Sequence, residues 1–372
     1  MIQIKEITTK KEMKQFVKFP FSLYKNNNYW VPPIIKDEVE SFDKDKNPVF
    51  EHAKARFFIA IKNNEIVGRI VAIINTYETE KQNIKKMRFG WFDVIDDIQV
   101  SKVLLDKVAE IGRENNLEYI EGPIGFNNLD KTGVLTDGFD QIGTMITWYN
   151  HPYYSKHLEQ LGFKKEKEYI ESTFSFNDVD IKKYQKASTL IQKRYQLKPL
   201  NFTSTNKIMP YVDEMFDLFS KTYSKLSTYV PISKAQIAYF KKKYISFINP
   251  EYIKFVVDKD DKLVAFAIVM PSFSSALQKA NGKLFPLGIF HLLNARKNSK
   301  DVTFYLIGVH PEYQNKGVTA VIFDQFYPVF SSKGIKNCIR TPELEDNHAI
   351  HQIWKEFNPK IHKRRRTYKL DL

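Results

Sequence analysis

Hydrophobic positions along this 372-residue chain fall into two series of the same order. In the first, a strand near Ile2 to Ile7 precedes a helical region. The apolar runs Phe57 to Ile61 and Ile66 to Ile74, joined through Asn63-Asn64, predict a hairpin. KMRFGWFDV reads as a further strand, Val100 to Asn115 as an amphipathic helix, and LEYIEGPI as a strand ended by Gly122-Pro123. A helix across YYSKHLEQLGF and a strand near Tyr169 to Phe176 close the series.

A polar joint at Asn177 to Asp180 separates this from a second series. Helices are expected from Asn206 to Lys225 and from Ser233 to Tyr244, followed by a hairpin in YIKFVVDKDDKLVAFAIVM that turns at Asp260-Asp261. VTFYLIGV is a strand, Lys316 to Tyr327 a helix stopped near Pro328, and KNCIR a strand. NHAIHQIWKEF forms a helix and HKRRRTYKL a terminal strand. The pattern implies two copies of one mixed α/β unit, divided into residues 1–178 and 179–372.

Composition narrows the class. Hydrophobic residues make up 43% of the chain and Gly plus Pro only 30 positions, as in a folded protein. The charged N-terminus and the lack of 18 consecutive apolar residues set the expectation of a cytoplasmic protein without a membrane span. One cysteine, Cys338, rules out an internal disulfide and a multi-thiolate zinc site, and its setting in IKNCIR reads as a buried strand. The formal charge of +14 is uneven: residues 1–180 carry 25 Lys/Arg against 28 Asp/Glu, net −3, and the remainder 32 against 15, net +17. The second half therefore suits an anionic partner.

The stretch LIGVHPEYQNKGVTAVIF, Leu306 to Phe323, gives that partner a place. A Gly-containing turn that leads from an apolar strand straight into a helix presents unpaired backbone N–H groups and the positive end of the helix dipole. Such a turn can cradle phosphate, with Gly317 allowing close approach and Lys316 adding charge. The alternative is a tight turn without a ligand.

Residues Val309 to Thr319 resemble the coenzyme A signature of the GNAT N-acyltransferases, Arg/Gln-x-x-Gly-x-Gly/Ala after a Val-x-Pro strand end. Gln314 and Gly317 fill their places, while Thr319 stands where Gly or Ala is usual. The resemblance implies two tandem GNAT-like units, each a mixed, mostly antiparallel sheet flanked by helices. It also implies acetyl-CoA or a longer acyl-CoA as donor, an amine as acceptor and no metal. Val309, Gln314, Asn315, Lys316, Gly317, Val318 and Thr319 would hold the cofactor, with Asn347 on the pantetheine arm. Val309 would offer an oxyanion N–H and Glu345 is the first choice of base. Trp354 occupies the place where many relatives carry a proton-donating Tyr, so the acid is Tyr327, Tyr368 or absent.

The first series carries IDDIQ where the phosphate turn would be, and Asp96 and Asp97 read better as helix caps than as an anion site. GFNNLDKTGVLTDGFD and YNHPYY resemble blocks of a bacterial group of double-GNAT proteins, so this unit is expected to be a degenerate copy without cofactor. Gly133, Gly138 and Pro152 suit turns. Trp148, Tyr149, Asn150, Tyr153 and Tyr154 are either a packing surface or part of a substrate pocket. The apolar segment 284–295, with Phe285 and Phe290, is either a core helix or a lid or surface for an acyl chain or lipid. The runner-up functions are a long-chain N-acyltransferase at a membrane surface and a non-catalytic acyl-CoA scaffold, with membrane or acyl carrier protein as further partners. Nucleic acid is disfavoured because no RNA or DNA motif appears, and G-x-S-x-G and H-E-x-x-H are both missing.

Overall fold

In the computed structural model, which describes residues 1–224, 226, 229–245 and 247–372, Asn63 and Asn64 both take left-handed φ angles of 52° and 65°. Asn tolerates that region, and the two-residue turn closes a hairpin of β2 (Ala53–Lys62) and β3 (Glu65–Asn75). β1 (Gln3–Glu6) flanks it on one side and β4 (Lys86–Val94) on the other. The helices of this region are α1 (Lys10–Leu23), α2 (Ile35–Ser41), α3 (Ile98–Glu114) and α4 (Tyr153–Gln160). β5 (Tyr119–Gly122) and β6 (Val134–Asp137) lie between the last two, and β7 (Lys164–Ser175) follows.

The remaining elements are α5 (Ile181–Tyr195), β8 (Lys198–Asn201), α6 (Thr205–Ile208), α7 (Val212–Tyr223), α8 (Lys234–Phe240), β9 (Ile253–Val257) and β10 (Leu263–Pro271). After them come α9 (Ser274–Ala280), α10 (Gly288–Asn298), β11 (Asp301–Val309), α11 (Val318–Lys333), β12 (Asn337–Arg340), β13 (Glu343–Leu344), α12 (His348–Trp354) and β14 (Lys360–Asp371).

Two compact units are formed, and neither is one continuous segment. The first comprises Met1–Ile170, Ser274–His291 and His362–Leu372; the second comprises Glu171–Phe273 and Leu292–Ile361. The sequence division near residue 178 differs from these bounds because terminal strands are exchanged. β14 pairs antiparallel with β5, Tyr368 opposite Gly122, so the last strand completes the first unit's sheet in the order β1-β2-β3-β4-β5-β14. In the second unit the end of β7 pairs with β12, Phe174 opposite Cys338, in the order β7-β12-β11-β10-β9-β8. Each sheet is antiparallel except for one parallel pair, β4/β5 in the first and β11/β12 in the second.

In the first unit the sheet is buried on both faces. Val100, Leu104 and Val108 of α3 meet Ile70, Phe89 and Ile120 on one face, while Phe16 and Val17 of α1 meet Phe57, Val71 and Trp91 on the other. That accounts for the near-continuous burial of β3 and β4, whose charged Arg69, Lys86, Arg88 and Asp93 are paired inside the unit.

Several elements depart from the sequence pattern. The helix expected to stop near Pro328 runs on to Lys333 and ends at Gly334, φ 61°. Proline removes one helical hydrogen bond, but Phe326 and Phe330 on either side of it are 1% exposed, and their burial holds the helix together. The helix expected across 206–225 is α6, a short 3-10 turn through Pro210 and α7; its expected end at Lys225 lies outside the described residues. Segment 284–295 is not a core helix along its length: Phe285, Leu287, Phe290 and Leu293 are exposed, and Leu292 is its one buried large apolar residue. Cys338 is buried as expected, and burial pushes its thiol pKa up. Among the described residues no helix is long and apolar enough to cross a membrane.

Candidate functional site

β11 and β12 run side by side only from Asp301–Phe304 against Asn337–Arg340. Beyond this, β11 carries a bulge: Leu306 pairs with Ile268 and Phe304 with Val269, leaving Tyr305 as the extra residue. From there to Val309 the strand keeps β10 on one side and has lost β12 on the other. His310 N–H donates to Val264 O at 2.8 Å, and antiparallel positions alternate in direction. Val309, opposite Ala265, therefore turns its N–H and C=O away from β10, toward the opening. Its carbonyl accepts from Gln314 Nε2 at 3.2 Å. Two residues back, Ile307 O accepts from the Tyr223 hydroxyl at 3.2 Å, which places the end of α7 on the same edge. Burial pushes the Tyr223 pKa up to about 12.

The turn that follows is exposed from Gln314 to Gly317, with Thr319 partly exposed and Val318 buried as the helix's first anchor. Asn315 and Gly317 take φ of 59° and 75°, and Gly317 caps α11 without a side-chain hydrogen bond. No side chain caps the first turn of this 16-residue helix; Ala320 N–H returns to Gly317 O at 2.9 Å, and the N–H groups of Val318 and Thr319 precede that bond. α5, which the sequence pattern did not assign, buttresses the turn. Its Ile191 Cδ1 would lie 2.7 Å from a Cβ on Gly317, and its Tyr195 ring lies 5.2 Å beneath Lys316 Nζ. Tyr313 stands at the same distance, so the Lys316 ammonium sits between two aromatic faces.

At the end of β12, the Arg340 guanidinium pairs with Glu343, whose Oε1 also accepts from Trp354 Nε1 at 3.1 Å. Burial lowers the Arg340 pKa to about 9. His351 Nε2 faces Leu344 O at 3.0 Å and Glu345 O at 3.1 Å, which assigns the N–H to that nitrogen. Glu345 itself is exposed on the turn before α12, and Asn347 caps that helix by accepting from Ile350 N. Trp354, packed against Phe174, Phe304, Phe323 and Phe357, is a core residue. Val309, Gln314–Thr319, Glu345 and Asn347 all belong to the second unit, and Gln314 reaches Val309 through its side chain. Tyr327 of the same unit packs on Phe176. Tyr368 belongs to the first unit, where it donates to Glu159 at 2.8 Å.

The corresponding edge of the first unit is plugged. β4 also has a bulge, where Arg69 pairs with Asp93 but Val71 with Gly90, and Trp91 takes φ 45°. Ile95 N donates to Val67 O, so Val94 turns away from β3 just as Val309 turns away from β10. Here Val94 N–H donates to the Tyr154 hydroxyl at 2.9 Å, and the Tyr153 hydroxyl donates to Val94 O at 2.7 Å. Tyr154 continues to Tyr24 at 3.0 Å, and Tyr24 donates to Asp93 at 2.7 Å, which Arg69 holds. Burial raises the pKa of Tyr24 and Tyr154, so both keep their protons. Asp97 caps α3 and Asp96 faces His157 at 3.2 Å.

The other residues considered for a pocket are held inside this unit. Tyr149 accepts from Asn27 and donates to Phe139 O, and Asn150 bridges Leu135 through both its N–H and C=O. Phe285 and Phe290 are exposed on the segment that ends at His291. Gly133 and Gly138 take φ of 70° and 80°, in keeping with turns. Among the described residues no group of three or more His, Cys, Asp or Glu could hold a metal ion.

No protein-family model matches the chain. Among curated proteins it is 26% identical to Protein YghO of Escherichia coli, across 98% of this chain and 94% of that one. It is 21% identical to a bacterial ceramide synthase of Caulobacter vibrioides, across 83% and 80% of the two chains. Among solved structures it superposes on a tandem GNAT protein from the clavulanic acid biosynthesis pathway with a TM-score of 0.61, 9% identity and coverage of 100% and 98%. A GCN5-related N-acetyltransferase from Sphaerobacter thermophilus gives 0.53 at 6% identity, with coverage of 100% and 95%.

Proposed function

The chain has the tandem GNAT fold, and on that premise we propose that it is an N-acyltransferase in which the second unit alone binds acyl-CoA. The observation that carries this reading is the pairing of Val309 with an uncapped helix terminus. A backbone N–H aimed into the opening between β11 and β12 lies on the strand that leads into an exposed Gly-containing turn, whereas the first unit fills the equivalent edge with Tyr153 and Tyr154.

In the proposed reaction the acceptor amine attacks the thioester carbonyl, the C–N bond forms and the C–S bond breaks, and an amide and a CoA thiolate leave. The Val309 N–H steadies the oxyanion. One amine proton goes to the base, which we assign to Glu345, directly or through water. Glu343 is less suited because Arg340 and Trp354 hold its oxygens. The thiolate is protonated from Tyr223, whose hydroxyl lies on the same edge of β11, in place of Tyr327 or Tyr368. Gln314, Asn315, Lys316, Gly317, Val318 and Thr319 hold the pyrophosphate, and Asn347 the pantetheine arm. Similarity to a ceramide synthase favours a long acyl chain and a lipid-like amine over acetyl transfer to a small amine.

Isothermal titration with acetyl-CoA and palmitoyl-CoA is expected to give one site per chain. Thr319→Asp is the informative variant: an acid in the first helical turn favours the dipole, so the fold should hold while phosphate is repelled. Binding should fall at least tenfold. Two equal sites, or a Thr319→Asp protein that binds as tightly as wild type, would overturn the assignment. Gly317→Asp is less clean, because φ of 75° and the contact with Ile191 add strain.

A further inference from the structure

We propose that the tip formed by Phe285, Leu287 and Phe290, extended by Leu293 along α10, docks on anionic phospholipid membranes. These side chains are 71%, 67%, 65% and 45% exposed, although each is large and apolar. Isolated exposed hydrophobes are ordinary, but four within nine residues are not. The tip stands on an ordered base. Gln278 Nε2 donates to Asn28 O and Trp30 O at 2.8 and 3.0 Å, Ser274 Oγ donates to Gly143 O at 2.8 Å, and Ile35 N donates to Gly282 O at 3.0 Å. On α10, Leu292 faces inward, while Phe290, Leu293 and Lys297 share the outer stripe at i, i+3 and i+7.

Charge selects the partner. From residue 262 to 300 there are six Lys or Arg and no Asp or Glu. Lys279, Lys283 and Lys297 are exposed and form no ion pair among the described residues. An apolar centre with a cationic rim matches a bilayer carrying anionic headgroups, where the rings enter the acyl boundary and the ammonium groups stay at the surface. A second copy of this chain would set one cationic rim against another. An acidic carrier protein would need cations at the centre of the contact, where this surface has rings. The inference deepens the lipid-like-amine reading, and that reading would gain from it, but vesicle binding is measured without acyl-CoA or turnover, so the two can fail separately.

The test is co-sedimentation with vesicles of phosphatidylcholine alone and with phosphatidylglycerol added, over a salt series. Wild type should partition at least tenfold more strongly onto the anionic vesicles, and less as salt rises. Phe285→Ser with Phe290→Ser should lose that binding while the melting point stays near wild type, since neither ring is buried. Lys283→Gln with Lys297→Gln should remove the preference for anionic lipid. Absence of vesicle binding, equal binding to neutral vesicles, or ring variants that bind as wild type would each overturn the proposal. So would sizing that shows a dimer broken by the ring variants, because the tip would then be covered by a second copy.

Discussion

Lys254 is a cation of the basic half that folding takes out of water. It is 3% exposed within β9, with its ammonium on Asn201 Oδ1 at 2.6 Å. Burial lowers its pKa from 10.5 to about 8. The folded state thus binds fewer protons than the unfolded state between those values, so the penalty is full below pH 8 and fades as pH rises toward 10.5. Lys254→Met should therefore raise stability at pH 7, by up to a few kcal/mol, and much less at pH 10. Urea unfolding at both pH values checks this; an equal gain at each would show that the charge is not the cause. The turn at Gly317 was legible because a tight strand-to-helix turn demands particular residue types, and Gln314 stood out through its resemblance to the GNAT signature. Tyr223, Ile191 and Tyr195 were not, since each reaches the site only through tertiary contact.

At the scale of elements, the pattern of strands and turns was readable where local chemistry decides it. The Asn63-Asn64 turn, the Asp97 cap and the strands of both series follow from residue preferences over a few positions. Elements decided by packing were not, as the passage of α11 through Pro328 and the unassigned α5 show. YNHPYY was ambiguous for the same reason. Its tyrosines close the free edge of β4, a partnership across 60 residues of sequence. Tyr154→Phe should leave Val94 N–H and Tyr24 short of a buried partner and cost about 1–3 kcal/mol. Chemical unfolding would measure that loss. Acyl-CoA affinity, assigned to the other unit, should be unchanged, and a matching fall in affinity would count against the one-site proposal.

For the whole molecule, repetition was visible in sequence but strand exchange was not, because periodicity does not say which neighbour a strand will choose. Tyr368 opposite Gly122 and Leu370 opposite Ile120 place the last strand in the first unit, where Arg365 also donates to Trp148 O at 2.6 Å. Removing residues 362–372 should therefore loosen β5 and α3 first. Amide exchange should rise there before it rises in β9 and β10, and the reverse order would refute this. The same exchange bears on synthesis. About 200 residues separate Ile170 from the end of the strand that completes its unit, which at roughly 5–20 residues per second means about 10–40 s of translation. Throughout that interval β5 waits on the ribosome with an unpaired edge, so a nascent-chain chaperone would have its longest opportunity at the half of the protein made first.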